Sequence, residues 1–379
     1  MKAMYQISVK LILGCLLFHS SLSAQQLSGY LTVMPSLIVL QPQDEAWWQT
    51  LAHNRLNFGW QMSPHLRMDA GVRNRFIAGS EMLIDPEGIS HDQGLLDLSW
   101  NWASGKNALF NSAFDRLNVT YEKDKWKLQL GRQRINWGQT FVWNANDIFN
   151  TYSFFDFDYP ERPGCDAFRA TFYGSATSQT ELAVSYRNDK ATAAMMHRWN
   201  HNMVDYQLIA GLHAESDIVI GGALTSDFRG LNYRTEMSYF HPVKNAADTS
   251  GIVAVSVGAD YFFGNSLMLQ TEILYNSTGK SGDFMDMMGA ASLSAKRMSI
   301  CEWNIFVNAS YPITPRLNGS LSGMYFVDIN LCYAGFTLDY SVIENLDFSV
   351  ITQFFSTIGN SEIGKMQMLM GFARLKYSF

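Results

Sequence analysis

Most of this chain repeats with a period of two residues, and the polar half of that period carries charge. Residues 114–123 set Leu117, Val119 and Tyr121 against Arg116, Asn118, Thr120 and Glu122. Residues 65–78 set Leu66, Met68, Ala70 and Val72 against Arg67, Asp69, Arg73 and Arg75. Residues 252–262 set Val253, Val255, Val257, Ala259 and Tyr261 against Ala254, Ser256, Gly258 and Asp260. Residues 345–356 set Leu346, Phe348, Val350 and Phe354 against Asp347, Ser349 and Gln353. Successive side chains of an extended chain point to opposite faces, so each segment is an amphipathic strand. In a soluble sandwich the apolar face packs inward on a second sheet. In a membrane barrel it faces lipid, and the polar face lines a lumen. Charges of both signs recur on the polar faces along the whole chain, more than a buried face tolerates. Aromatic residues make up 14 % of the chain and charged residues only 16 %, low for a soluble surface. Both observations favour the barrel. An open sheet edge in hydrocarbon would strand backbone amides, so the sheet must close.

The expected fold is therefore all-β, a closed antiparallel transmembrane β-barrel. Nineteen segments read as strands between residues 27 and 379. Ser63-Pro64, Asp124-Lys125, Phe263-Gly264-Asn265 and the stretch from Pro312 to Pro315 read as short turns on one side. A single-chain bacterial barrel with both ends on that side needs an even strand number. Treating 79–113 as one excursion places 93–102 in a loop and leaves eighteen strands, with sixteen the alternative. The long connections 79–113, 135–164 and 277–297 then share the opposite, extracellular side. Pro35 inside the first strand calls for a bulge or a rim position. Trp100, Trp102, Trp126, Tyr239, Tyr311, Tyr340, Tyr377 and Phe379 fall near strand ends, as interfacial aromatic girdles do.

Residues 1–24 read as a secretory signal, with Lys2 and Lys10 before an apolar run from Leu11 to Phe18 and a cut near Ala24. Ile12-Leu13-Gly14-Cys15 also fits a lipoprotein cleavage box. The remaining cysteines, Cys165, Cys301 and Cys332, are odd in number and lack metal-type spacing, which argues against a disulfide scaffold. A formal net charge of −6 excludes a nucleic-acid binder by charge. His197 and His201 are four apart but on a strand and turn, so they do not form a helical zinc pair. No Gly-x-Ser-x-Gly elbow is present. No cofactor, no metal and no enzymatic activity are expected.

The densest cluster of special residues runs from 131 to 169. Gly131-Arg132-Gln133-Arg134-Ile135-Asn136-Trp137-Gly138 opens it, and Trp143 to Asn150 follow. An aromatic, acidic stretch runs from Tyr152 to Tyr159, and Pro160 to Arg169 closes it. Trp137, Phe141, Trp143, Phe149, Phe154, Phe155 and Phe157 are too apolar to hang in water, so this loop should fold into the lumen or its mouth. Asp147, Asp156, Asp158 and Glu161 could then meet Arg132, Arg134, Arg162 or Arg169 across a narrowed channel. Opposed charges in a restricted pore set selectivity; the same pairs would equally hold down a structural plug. Arg55, Arg67, Arg73, Arg75, Arg116, Arg169 and Arg187 crowd the inward face of the N-terminal half. Asp260, Glu272, Glu302, Asp339 and Asp347 crowd that of the C-terminal half, so a basic wall should face an acidic one. The pairing of such charges with neighbouring strands is the plainer alternative.

Two resemblances sharpen the expectation. The last strand, with Leu369, Gly371, Ala373, Leu375, Tyr377 and Phe379 on one parity, resembles the closing strand of bacterial outer-membrane barrels. The segment from Gly131 to Arg169 resembles one in porin-like outer-membrane proteins of Bacteroidota and, more distantly, in alginate-export-type barrels. These resemblances imply a bacterial outer-membrane channel for passive diffusion of small hydrophilic solutes, with loop 135–164 constricting the lumen. Arg73, Arg75, Arg116, Arg132, Arg134, Asp147, Asp156, Asp158, Glu161, Arg162 and Arg169 are the implied pore-lining set. An envelope polysaccharide export or assembly barrel is the alternative. Implied partners are outer-membrane lipid, the solutes, and the barrel assembly machinery through Phe379.

Overall fold

A computed structural model describes residues 25–42, 45–80, 86–151, 153–155, 161–162, 164–244, 250–279 and 294–379. The expected signal sequence at 1–24 lies outside the described residues. In chain order the strands are β1 (Gln25–Gln41), β2 (Glu45–Ser63), β3 (Leu66–Gly79), β4 (Ser99–Ser104), β5 (Ala108–Lys123), β6 (Trp126–Gln133), β7 (Cys165–Ser175), β8 (Ser178–Arg187), β9 (Lys190–His201) and β10 (Val204–His213). They continue as β11 (Asp217–Phe228), β12 (Leu231–Pro242), β13 (Ile252–Phe262), β14 (Met268–Asn276), β15 (Trp303–Thr314), β16 (Leu317–Phe326), β17 (Leu331–Ile343), β18 (Leu346–Thr357) and β19 (Gln367–Ser378).

With β4 set aside, each strand pairs antiparallel with its sequence neighbour, and β1 pairs with both β2 and β19. That last pairing closes the ring. Gly29 and Phe379 exchange backbone hydrogen bonds of 2.8 and 2.9 Å at the seam. β3 pairs directly with β5, which leaves β4 outside the ring and eighteen strands within it. The strand-like segment 93–102, expected off the wall within 79–113, corresponds to this β4. β4 lies along residues 109–113 of β5, on the edge that β6 leaves uncovered because it pairs only from Leu117 onward. Pro35 needs no bulge. β1 and β19 keep one register from Val33 opposite Leu375 to Ser36 opposite Phe372.

The distribution of exposure inverts that of a soluble sheet. Leu130, Leu182, Leu208, Ile220, Val257, Val307, Leu321 and Leu369 are exposed on the outer face. His53, Arg55, Asn118, Glu181, Gln207, Ser256, Asn304 and Ser349 are buried on the inner one. Apolar area turned outward all round a closed ring is stable only against hydrocarbon. Trp126, Tyr311, Tyr340, Tyr377 and Phe379 are exposed at the end that carries the two-residue turns, where an interfacial girdle belongs. Among the described residues no helix is long and apolar enough to cross a membrane.

Candidate functional site

The chain that leaves β6 turns into the barrel because its apolar residues need cover. Ile135, Trp137, Ile148 and Phe149 pack on Ala183, Met196, Ile209, Val219 and Phe240, which face inward from β8 to β12. Val142, Trp143 and Ala145 pack on Leu274, Phe306, Met324, Leu331 and Phe355, inward from β14 to β18. The lumen wall is thus apolar in the half nearest the long loops. Trp137 and Trp143 are buried in this packing.

Two wall carboxylates hold the backbone of this segment. Glu236 on β12 is 0 % exposed and Glu272 on β14 is 2 % exposed. Glu236 Oε1 accepts the Gln139 and Thr140 amides and the Thr140 hydroxyl, while Oε2 accepts the Asn146 amide at 2.9 Å. Glu272 Oε2 accepts the Phe141 and Val142 amides at 2.8 and 2.9 Å, and Oε1 accepts Trp143 N at 2.7 Å and Ser256 Oγ at 2.8 Å. A third acid, Glu181 on β8, accepts the Trp137 indole N–H at 3.0 Å and two bonds from Arg169. Turn-like backbone of this kind aims successive N–H groups at one anion, and burial makes those bonds strong.

The far end of the segment is tied to the opposite wall. Tyr30 on β1 donates to Glu161 Oε2 at 2.7 Å, and Arg55 on β2 stands 3.9 Å from Glu161 Oε1. Arg116 on β5 donates to the carbonyls of Glu161 and Arg162 at 2.6 and 2.8 Å. In the ring order β2 and β5 stand half-way round from β12 and β14. A bulge makes this contact. Gly71 pairs with Arg116 but Val72 pairs with Phe114, so Asp115 is an extra residue in β5. The bulge turns both Asp115 and Arg116 into the lumen, where Asp115 binds Arg55. Gly71 opposite leaves room for this pair, since a Cβ there would lie 2.6 Å from Arg55 Nη2 and displace the guanidinium.

The other expected lining residues divide by environment. Arg73 is buried, with Nη2 3.2 Å from His53 Nδ1. Arg75 donates to Asn111 Oδ1 at 2.7 Å. Arg132 is consumed by Asp92 and Asp166, and Arg169 by Glu181. Arg162 donates to the Ser153 carbonyl at 3.3 Å. Asp147 is 1 % exposed and faces the segment's own interior rather than open water. Asp156 and Asp158 lie outside the described residues. The basic side is present as arginines whose charge is not locally cancelled: Arg116, Arg187 and Arg198 donate to neutral acceptors, the latter two to Gln93 and Gln207. The acidic side is partly paired. Glu272 serves loop amides, Asp260 pairs with Arg234, Asp339 accepts from Ser349 and Arg374, and Asp347 accepts from Ser341. Glu302 stands just before β15, at the loop end of the wall.

Glu181 and Glu236 were not singled out by the sequence. The available signal was a glutamate at an inward position of an otherwise apolar strand half, as in Glu236-Met237-Ser238-Tyr239-Phe240.

Burial pushes the Asp147 carboxyl up to about 7, against the pull of Arg134 and Arg187. Oδ1 accepts the Asn150 amide at 3.2 Å, and Oδ2 has no partner. A raised value means that the neutral form is preferred in the folded segment. Its stabilising contribution is complete below about pH 4, the unfolded value, and is lost as pH rises to about 7. Amide hydrogen exchange of residues 139–151, corrected for intrinsic rates, should therefore quicken across that interval. Asp147→Asn should remove the pH step; a step that survives the substitution would assign it to another group.

Below the segment, at the end with short turns, a cavity of about 700 Å³ is lined by Met268, Ser310, Thr314, Asn318, Asp339 and Ser341 among others. Neither a protein-family model nor a curated protein matches the chain. Solved structures do. OccAB1 of Acinetobacter baumannii is 9 % identical, with a TM-score of 0.60 over 94 % of this chain and 97 % of that one. OpdQ of Pseudomonas aeruginosa is 8 % identical, with a TM-score of 0.59 over 94 % and 99 %. The outer membrane protein OprD of Pseudomonas aeruginosa is 8 % identical, with a TM-score of 0.58 over 93 % and 94 %. At such identities the likeness establishes the fold: a closed eighteen-stranded barrel of the kind found in an outer membrane protein.

Proposed function

We propose that this chain is a bacterial outer-membrane channel through which small hydrophilic solutes diffuse passively, and that residues 135–164 narrow its lumen. The observation that carries this reading is one inward segment tied at its start to Glu236 and Glu272 and at its end to Tyr30, Arg55 and Arg116, across the diameter of a barrel whose outer face is apolar. The fold shared with OprD supports the location. Arg73, Arg75 and Arg116 give the route a positive wall. Phe379, at the β1–β19 seam, is the element we assign to recognition by the barrel assembly machinery. The likeness to Bacteroidota porin-like proteins rests on residues 131–169 alone, and no observation favours the export alternative. The reading includes no catalytic step.

Planar-bilayer recording tests it. The purified chain should give steady ohmic conductance, and deletion of residues 140–160 should raise it. A folded barrel that passes no ions, with or without that stretch, would overturn the reading.

A further inference from the structure

One aromatic residue of the inward segment is not used in packing. Phe141 is 45 % exposed, although its neighbours Val142 and Trp143 are buried. It is not loose: its amide is fixed to Glu272, and its ring lies 6.0 Å from that of Phe306 at 34°. A phenyl ring held rigidly in an aqueous lumen loses hydrophobic stabilisation that turning toward the wall would supply. It also keeps a flat apolar face ready for a solute, at little entropic cost on binding.

A notch lies beneath this ring, bordered by Arg234, Gly258, Asp260, Gln270 and Glu272. Gly258 faces inward between Ser256 and Asp260, and its missing side chain makes the hollow. The notch holds about 10 Å³, room for one hydroxyl or water and not for a ring. Its one cation is already paired. Arg234 pairs with Asp260, which also accepts from Asn232 at 3.1 Å. Glu272 is saturated by three loop amides and Ser256. Arg234 Nε is buried with no acceptor among the described residues. The notch therefore offers an unpartnered donor beside a carboxylate acceptor, with no unpaired cation to attract an anion.

We propose that Phe141 and this notch form a binding ledge for a neutral pyranose ring, resting on the proposed channel function. The carbon–hydrogen face of the sugar lies on Phe141, and one hydroxyl enters the notch between Arg234 Nε and Asp260. An aromatic face with adjacent donor and acceptor suits a ring that is apolar on one side and hydroxylated at its rim. A carboxylate solute would gain nothing here, because the one cation is already paired.

Two measurements on the full-length chain test the ledge. In planar bilayers glucose should interrupt the ionic current in a concentration-dependent way, and sorbitol, which has hydroxyls but no ring, should not. Saturation-transfer NMR on the detergent-solubilised barrel should show glucose ring protons contacting the protein. Phe141→Ala should weaken both effects on the order of tenfold, and Phe141→Trp should retain them. Equal glucose responses in Phe141→Ala, no glucose response from a conducting barrel, or block by benzoate in place of glucose would overturn the ledge. Glucose contact that depends on Phe141 in a barrel that passes no ions would uphold the ledge and overturn the channel.

Discussion

Replacing Glu236 and Glu272 together with alanine is expected to raise single-channel conductance several-fold and to make the current noisy. Glu236 accepts three amides and one hydroxyl of the inward segment, and Glu272 accepts three amides of it. A buried donor left without an acceptor costs about 1–3 kcal/mol. The double substitution strands the six amides, the Thr140 hydroxyl keeping the Trp143 carbonyl, unless the segment moves to let water reach them. Against this stands the seating of Trp137, Val142, Trp143, Ile148 and Phe149, each contributing about 1.5–3 kcal/mol by burial. The two terms are comparable, so the segment should leave its seat part of the time, which is why fluctuation is expected. The ring itself keeps its eighteen-strand ladder and should remain folded. Conductance and noise unchanged from the parent would show that the segment does not control the route.

Changing Arg73 and Arg75 to glutamate should reverse the sign of the ion preference in a salt gradient. Both lie on β3 at inward positions, two residues apart, on the wall opposite the loop clasp. Each substitution alters the local charge by two units. Across the lumen Asp260 is paired with Arg234, while Glu236 and Glu272 accept only from neutral groups, so they add to the negative wall of the variant. A few uncancelled charges in a confined aqueous passage dominate its selectivity. The parent should therefore favour anions and the double variant cations, as read from the reversal potential. Arg73→Gln with Arg75→Gln should fall between the two and serves as a control for lost packing around His53 and Asn111. An unmoved reversal potential would remove this wall from the solute's path.

Much of the architecture was legible because its signals are local. Alternation in 65–78, 252–262 and 345–356 assigned inner and outer faces as the structure has them: Arg73, Asp260 and Gln353 are buried inside, while Val257 and Phe354 are exposed outside. Tight turns such as Asp124-Lys125 gave the polarity of the ring. The segment 93–102 was legible as a strand from its pattern and as lying off the wall from the even count; that it extends the free edge of β5 was not, because that edge is set by where β6 begins to pair.

The site was less legible, since its contacts are not local. Glu236 reaches Thr140 across 96 residues and Glu272 reaches Phe141 across 131. The bulge that turns Asp115 inward is decided by pairing with β3, and nothing in β5 alone marks it. The charges of the C-terminal half were visible, but the amides and arginines that bind several of them were not.

By itself, then, the order of residues determined that this chain must roll into a closed ring with grease outside and charge within. A period of two and a need to pair every backbone amide act over a few residues and leave little choice. Only the three-dimensional arrangement decided which of the inner charges still act on the lumen. That depends on which groups meet across the barrel, and an acid looks the same in sequence whether it meets water, an arginine or a row of amides.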